Sequence, residues 1–290
     1  MENSAMTQVI LPLALFTIML GVGLSLSVAD FKQVFRRPGV TALGIGMQLL
    51  LVPVLGFIVV TALDLPPALA VGLMILTFAP GGATSNMITL LARGDTALSV
   101  SMTAIVSFIA PFTLPLLTLS ALQHWMDSAE FTGFPVLPTM MKLVVMTIVP
   151  VAIGVFLHHR FPAFCQRLQK PVKVLSMLFL LLVVVGIVKT NWTRLPELVA
   201  VLGPAVLLLI ALAFGAGFGI ARQCGIEHKQ ALTLGIEVGI QNAGTALLVT
   251  GTVLQNAEMS AAALTYGVLM NLPAFALIFY RNMRTNALPA

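Results

Sequence analysis

Seven polar side chains stand inside otherwise apolar stretches of this chain: Gln48, Ser85, Asn86, Ser99, Thr103, Glu237 and Gln241. Their types and spacing suit coordination of a hard cation. Glu237 and Gln241 are four residues apart, so a helix stacks them one turn from each other. Ser99 and Thr103 share that spacing and therefore one helix face, closely following Ser85 and Asn86. Hard cations prefer oxygen ligands: carboxylate, carboxamide, hydroxyl and backbone carbonyl. An unwound backbone at Val238 and Ile240 adds two carbonyls to the set. The bland readings stand beside this one. Glu237 suits a structural carboxyl bonded to a neighbouring helix. Ser and Thr in membrane helices often bond back to the preceding turn. Gln48, alone in its segment, is either a helix–helix bond or a further ligand.

Anion chemistry is offered at two helix breakers. The first reads Pro80-Gly81-Gly82-Ala83-Thr84-Ser85-Asn86; the second runs from Gly235 through Gly239 and Asn242 to Thr245. Proline removes an N–H and clashes with the preceding turn, and glycine loosens the backbone. A broken helix exposes the N-terminus of its second half, where unpaired N–H groups favour anions. Ala83 and Thr84 open one such half-helix, and the other follows Asn242. A carboxylate fits there without an arginine. Asn271, just before Pro273, is read either as packing beside a proline kink or as part of that site.

The elements that must hold these groups follow from composition. Only 25 of the 290 residues are charged, 15 Lys and Arg against 10 Asp and Glu, and 59% are apolar. A soluble domain carries about 25% charged residues, so soluble enzymes, disordered chains and nucleic-acid binders are poor fits. Long unbroken apolar runs favour helices over an alternating β-barrel. The expected fold is all-α and polytopic, with nine spans at 7–28, 39–62, 68–91, 97–121, 137–157, 173–189, 197–220, 230–254 and 260–280. With the N-terminus outside and the C-terminus cytoplasmic, 12 of the 15 cations fall on the cytoplasmic side and 3 outside, a strong positive-inside bias. The first run lacks a basic start and reads as a retained helix. Cys165 and Cys224 have no metal-ligand spacing, and the four histidines read as solvated loop residues. An intramembrane enzyme needs a nucleophile–base set or a metal cluster at depth. Glu237 is the one carboxylate there, with no Lys or Arg to meet it. A charge at mid-bilayer costs about 2.5–3.5 kcal/mol on insertion scales, so an exogenous cation answers the imbalance. The breakers sit in the third and eighth spans, which run in opposite directions. That is the plan of an inverted repeat with two discontinuous crossing helices.

At these motifs the chain resembles the bile acid:sodium symporter family. The segment from Pro80 to Asn86, followed by Leu91-Ala92-Arg93-Gly94-Asp95 and Ala97-Leu98-Ser99-Val100, is similar to that family's first crossover signature; Glu237-Val238-Gly239-Ile240-Gln241-Asn242 is similar to the second. The resemblance implies a single transmembrane unit over 1–290, built from a core domain (helices 68–121 and 197–280) and a panel domain (7–62 and 173–189), with helix 137–157 assigned to neither. It implies two sodium ions as coupling ions and no other cofactor. One is held by Ser85, Asn86, Ser99, Thr103 and Glu237, the other by Gln48, Glu237, Gln241 and the carbonyls of Val238 and Ile240. Ala83, Thr84, Asn242 and Asn271 are the expected substrate contacts. Some relatives reverse the Ala83-Thr84 pair or carry histidine in place of Met270, which touches the substrate and leaves the ion sites alone. The expectation is therefore a sodium-coupled symporter of a small organic anion, a monomer in the inner membrane of a bacterium. The alternative is a proton-coupled transporter with Glu237 as carrier.

Overall fold

A computed structural model describes residues 6–26, 38–126, 133–165 and 195–286, with scattered positions between 167 and 193. All regular structure among them is helical. The elements are α1 (Leu11–Ser25), α2 (Pro38–Ala62), α3 (Pro67–Thr77), α4 (Ala83–Leu91), α5 (Thr96–Trp125) and α6 (Val136–Arg160). They continue with α7 (Leu195–Gln223), α8 (His228–Gly239), α9 (Ala243–Leu247, extended by wide turns at Leu248–Val253), α10 (Ala257–Leu269) and α11 (Asn271–Asn286). Seven described helices are long and apolar enough to cross a membrane, counting α8–α9 and α10–α11 as one each; α3 is shorter. Most of the span expected at 173–189 lies outside the described residues, as do Lys32, Arg36, Arg37, Lys170 and Lys173.

The two expected breaks are present. The third span stops at Thr77 and resumes at Ala83, and the eighth stops at Gly239 and resumes at Ala243. The breaks are narrower than the motifs. Ser85 and Asn86 are already in α4, and Glu237 and Val238 are in the last turn of α8. Helix α8–α9 is the centre of the bundle, with 89% of its apolar window buried against at most half for the other spanning helices. A polar helix is tolerated in a membrane when protein, not lipid, surrounds it. Lipid-facing positions are apolar instead, as at Leu50, Val54, Phe57 and Phe156.

Packing assigns neighbours that apolar runs cannot. Helix α6 lies along α1, where a Cβ on Gly23 would fall 2.4 Å from the Val151 carbonyl. Small residues let membrane helices meet backbone to backbone in this way. Helix α2, grouped with α1 by the sequence, packs on α3, α5, α7 and α8. His158 is not a loop residue: it lies in the last turn of α6 and its ring Nδ1 pairs with the Leu26 carbonyl at 2.8 Å.

One local plan occurs twice. Asp64 and Gly225 both adopt positive φ (45° and 75°) after a long helix. In each turn the next amide reaches back five residues, Leu65 N–H to Val60 O and Ile226 N–H to Ala221 O, both near 3 Å. Pro66 and Glu227 then cap α3 and α8 with nearly equal angles, and Asp95 and Asn256 cap α5 and α10 with side-chain oxygens. Each of these pairs stands 161 positions apart (64 and 225, 66 and 227, 95 and 256).

Candidate functional site

The site forms where α4, α5 and α8 meet beside both breaks. Helix α8 ends at Gly239 because Ile240 turns extended (φ −120°, ψ 111°). A helix end leaves its last carbonyls without intrahelical partners. Here Tyr266 Oη donates to Gly239 O at 2.7 Å and Gln241 Nε2 donates to Val238 O at 2.7 Å. The two breaks are tied directly, since Asn242 N–H donates to Ala79 O at 2.9 Å.

Glu237 is 2% exposed, and the groups around it are oxygens. Ser99 Oγ hydrogen-bonds Glu237 Oε1, and Thr103 Oγ1 lies 3.3 Å from Oε2. The same two hydroxyls lie 2.7 and 3.1 Å from Asn86 Oδ1. Each hydroxyl has one proton to give. A carboxylate, a carboxamide and two hydroxyls thus lie within hydrogen-bond reach of one another, in a place without water's dielectric. Ser85, fully buried, donates to Gly82 O at 2.8 Å. Gly81 opens onto the same oxygens. A Cβ there would fall 2.8 Å from Ile240 O, 3.0 Å from Ser85 Oγ and 3.5 Å from Glu237 Oε2. Such a set matches a hard cation's ligand preference.

Gln48 lies beside Gln241, just past the end of α8. Helix α2 widens to a π-turn at Met47–Leu51, where Val52 N–H reaches back to Met47 O and Pro53 has no N–H to give. Gln48 Nε2 donates to Gln241 Oε1 at 2.6 Å, and both side chains are buried. Gln48, Gln241 and Val238 O therefore form one chain of contacts, while the hydrogen bonds to Glu237 come from Ser99 and Thr103 of α5 and Ser85 of α4.

A cavity of about 100 Å³ lies across the breaks, lined among others by Gly82, Ala83, Thr84, Asn242, Ala243 and Met270. Gly82 precedes α4 without a side-chain cap, so the first N–H groups of α4 face this region. Asn242 caps α9 through Oδ1, which accepts from Thr245 N–H at 3.0 Å. Its Nδ2 is the group nearest the open face of Gly82, 3.2 Å from a Cβ built there. Asn271 does not line this cavity; its amide donates to Gly267 O and Val268 O at 2.8 and 3.1 Å within its own helix region.

Residues 12–197 match the model of the sodium bile acid symporter family. The chain belongs to this family. Family members are transporters, not enzymes, and the membrane-spanning helices fit that class. The human ileal sodium/bile acid cotransporter is 30% identical to this symporter-family chain over 82% of the chain and 68% of that protein. The sodium-dependent transporter YocS of Bacillus subtilis is 29% identical over 78% and 69%. Rice BASS1, a probable chloroplastic sodium/metabolite cotransporter, is 33% identical over 77% of the chain and 54% of its own length. The chain thus spans between half and about two thirds of these relatives.

Sequence reasoning named the oxygens around Glu237 and missed Tyr266. The fully buried Tyr266 hydroxyl fixes the Gly239 carbonyl at the break. A lone tyrosine in an apolar run was its only signal.

Proposed function

We propose that this protein is a sodium-coupled symporter of a small organic anion. Sodium ions fill the oxygen cluster of Ser85, Asn86, Ser99, Thr103 and Glu237, and a second site of Gln48, Glu237, Gln241 and the carbonyls of Val238 and Ile240. The observation that carries this reading is the buried Glu237 carboxylate gathered with the side-chain oxygens of Ser99, Thr103 and Asn86. The relatives named for sodium-dependent transport support the same ion. A proton carrier would need Glu237 alone and would leave that cluster without a task.

Bound sodium neutralises Glu237 and holds α4 and α8 in register. That ordering presents the N-termini of α4 and α9, with Thr84 and Asn242 Nδ2, to a carboxylate in the cavity. Sodium then raises anion affinity, and by linkage the anion raises sodium affinity. The cavity's size of about 100 Å³ supports a small carboxylate of the pyruvate or pantoate kind over a bile acid.

Nine spans, with the sixth at 173–189, complete this reading. The turns repeated at 161 positions support an inverted repeat, whose two crossing helices meet at the membrane centre. A panel domain, expected at 7–62 and 173–189, moves against the core of 68–121 and 197–280; the packing of α6 along α1 supports adding α6 to the panel, and that of α2 on α3, α5, α7 and α8 supports counting α2 with the core. The N-terminus faces outward and the C-terminus the cytoplasm, in a bacterial inner membrane, and the transporting unit is a monomer.

Uptake into proteoliposomes tests the coupling, with labelled pyruvate, pantoate and taurocholate as probes. An inward sodium gradient drives at least one of them, and Glu237→Gln abolishes that uptake. Uptake indifferent to sodium and driven by a pH gradient would overturn the proposal.

A further inference from the structure

The loop between α4 and α5 makes contacts that the ion cluster does not use. Asp95 caps α5 through Oδ1, which accepts from Leu98 N–H at 3.1 Å. Its backbone N–H donates across to Thr233 Oγ1 on α8 at 2.8 Å. Thr233 Oγ1 in turn donates to Lys229 O at 3.1 Å. Gln230 Nε2 completes the contact by donating to Asp95 Oδ2 at 3.3 Å. Thr233 is fully buried and Gln230 is 4% exposed. Gly94 lets the loop come this close, since a Cβ there would fall 2.8 Å from both Thr233 Oγ1 and Thr89 Cγ2.

Spacing links this contact to the ion cluster. Asp95, Ser99 and Thr103 follow one another at four-residue intervals on α5, and Thr233 and Glu237 do so on α8. Each interval is one turn, about 6 Å along the axis. The two helices therefore meet in successive rungs: Asp95 with Thr233, then Ser99 and Thr103 with Glu237. A slip at the first rung rotates or slides Glu237 away from the hydroxyls at the next.

We infer that Asp95, Thr233 and Gln230 form a positioning strap that sets the register of α8 against α5 and thereby the sodium affinity of the Glu237 cluster. The strap joins the half-helix bearing Ser85 and Asn86 to the half-helix bearing Glu237 by way of the intervening loop. It touches neither the ion nor the anion. This inference rests on the sodium reading above and adds the residues that tune it.

The test is a sodium titration of the purified full-length protein in detergent, read as melting temperature, with choline chloride holding ionic strength constant. The wild-type chain is stabilised by sodium with a defined midpoint. Thr233→Val keeps the side chain's shape and strands the Asp95 N–H. It shifts the midpoint to about tenfold higher sodium. Thr233→Ser, which keeps the hydroxyl, stays within about twofold of wild type. Gln230→Leu removes the donor to Asp95 Oδ2 and shifts the midpoint in the same direction by a smaller factor. A Thr233→Val protein that melts lower but keeps the wild-type midpoint overturns the strap alone. A wild-type protein that does not respond to sodium overturns the sodium reading and the strap with it.

Discussion

Leu76 and Glu237 occupy matching positions on the two broken helices, 161 residues apart, and meet different company. Around Glu237 stand Asn86, Ser99 and Thr103. At the positions matching these three stand Leu247, Ser260 and Leu264, and Ala246 matches Ser85. Leu76, Ala246, Leu247 and Leu264 all belong to the main apolar cluster of the bundle. Ser260, the one hydroxyl retained, spends its contacts locally, 3.1 Å from Thr250 Oγ1 and 2.8 Å from Asn256 O. The backbone plan is thus repeated while the chemistry is not. One crossing supplies oxygens and a charge, and its counterpart is sealed with side chains that stabilise by burial. The matched turns and caps accompany two interrupted helices, and the asymmetry puts the carboxylate on one of them.

This comparison can be broken most forcefully at its centre. Glu237→Gln is expected to reduce sodium-driven uptake to background in proteoliposomes. Leu76→Ala is expected to cost stability, about 2–5 kcal/mol as for other buried leucines, while leaving the sodium midpoint in place. Denaturation and sodium titration of both variants separate the two roles. Next in size, Thr103→Val removes one oxygen from the cluster and raises the sodium midpoint about fivefold to tenfold in the same titration. Asn242→Ala acts on the cavity side. It removes the α9 cap, costs about 1 kcal/mol of stability, and raises the KM for the transported anion more than the sodium midpoint. The smallest effect is expected at Ser260→Ala, the match of Ser99, with a sodium midpoint changed by less than about twofold. A large effect there would mean that both crossings bind cations.

The oxygen cluster around Glu237 was legible in the sequence because its signal is local. Four-residue spacing puts Ser99 with Thr103 on one face, and one uncompensated carboxylate marks the place where they must converge. The breaks were legible because Pro80, Gly81 and Gly82 act on their own backbone. What depends on neighbours was not. Helix α2 is apolar but for Thr41, Gln48 and Thr61, and one glutamine does not name its partner; the structure pairs Gln48 with Gln241 just past the end of α8. Asn271 was read either as packing beside a proline kink or as part of the site, and its amide donates to Gly267 O and Val268 O in the turn before it, a contact its residue type does not announce. The repeat was hidden for a further reason. Ser99 with Ser260 and Thr84 with Thr245 survive across the offset, but most pairs differ, and the matched turns are features of φ and hydrogen bonding rather than of residue type.

The most direct test of the central claim is equilibrium binding of ²²Na⁺ to the purified protein, without any anion present. The wild-type chain is predicted to bind sodium saturably, with displacement by unlabelled sodium and none by potassium or choline, and Glu237→Gln is predicted to bind none at the same concentration. Equal binding by the two proteins, or no saturable binding by the wild type, would contradict the account.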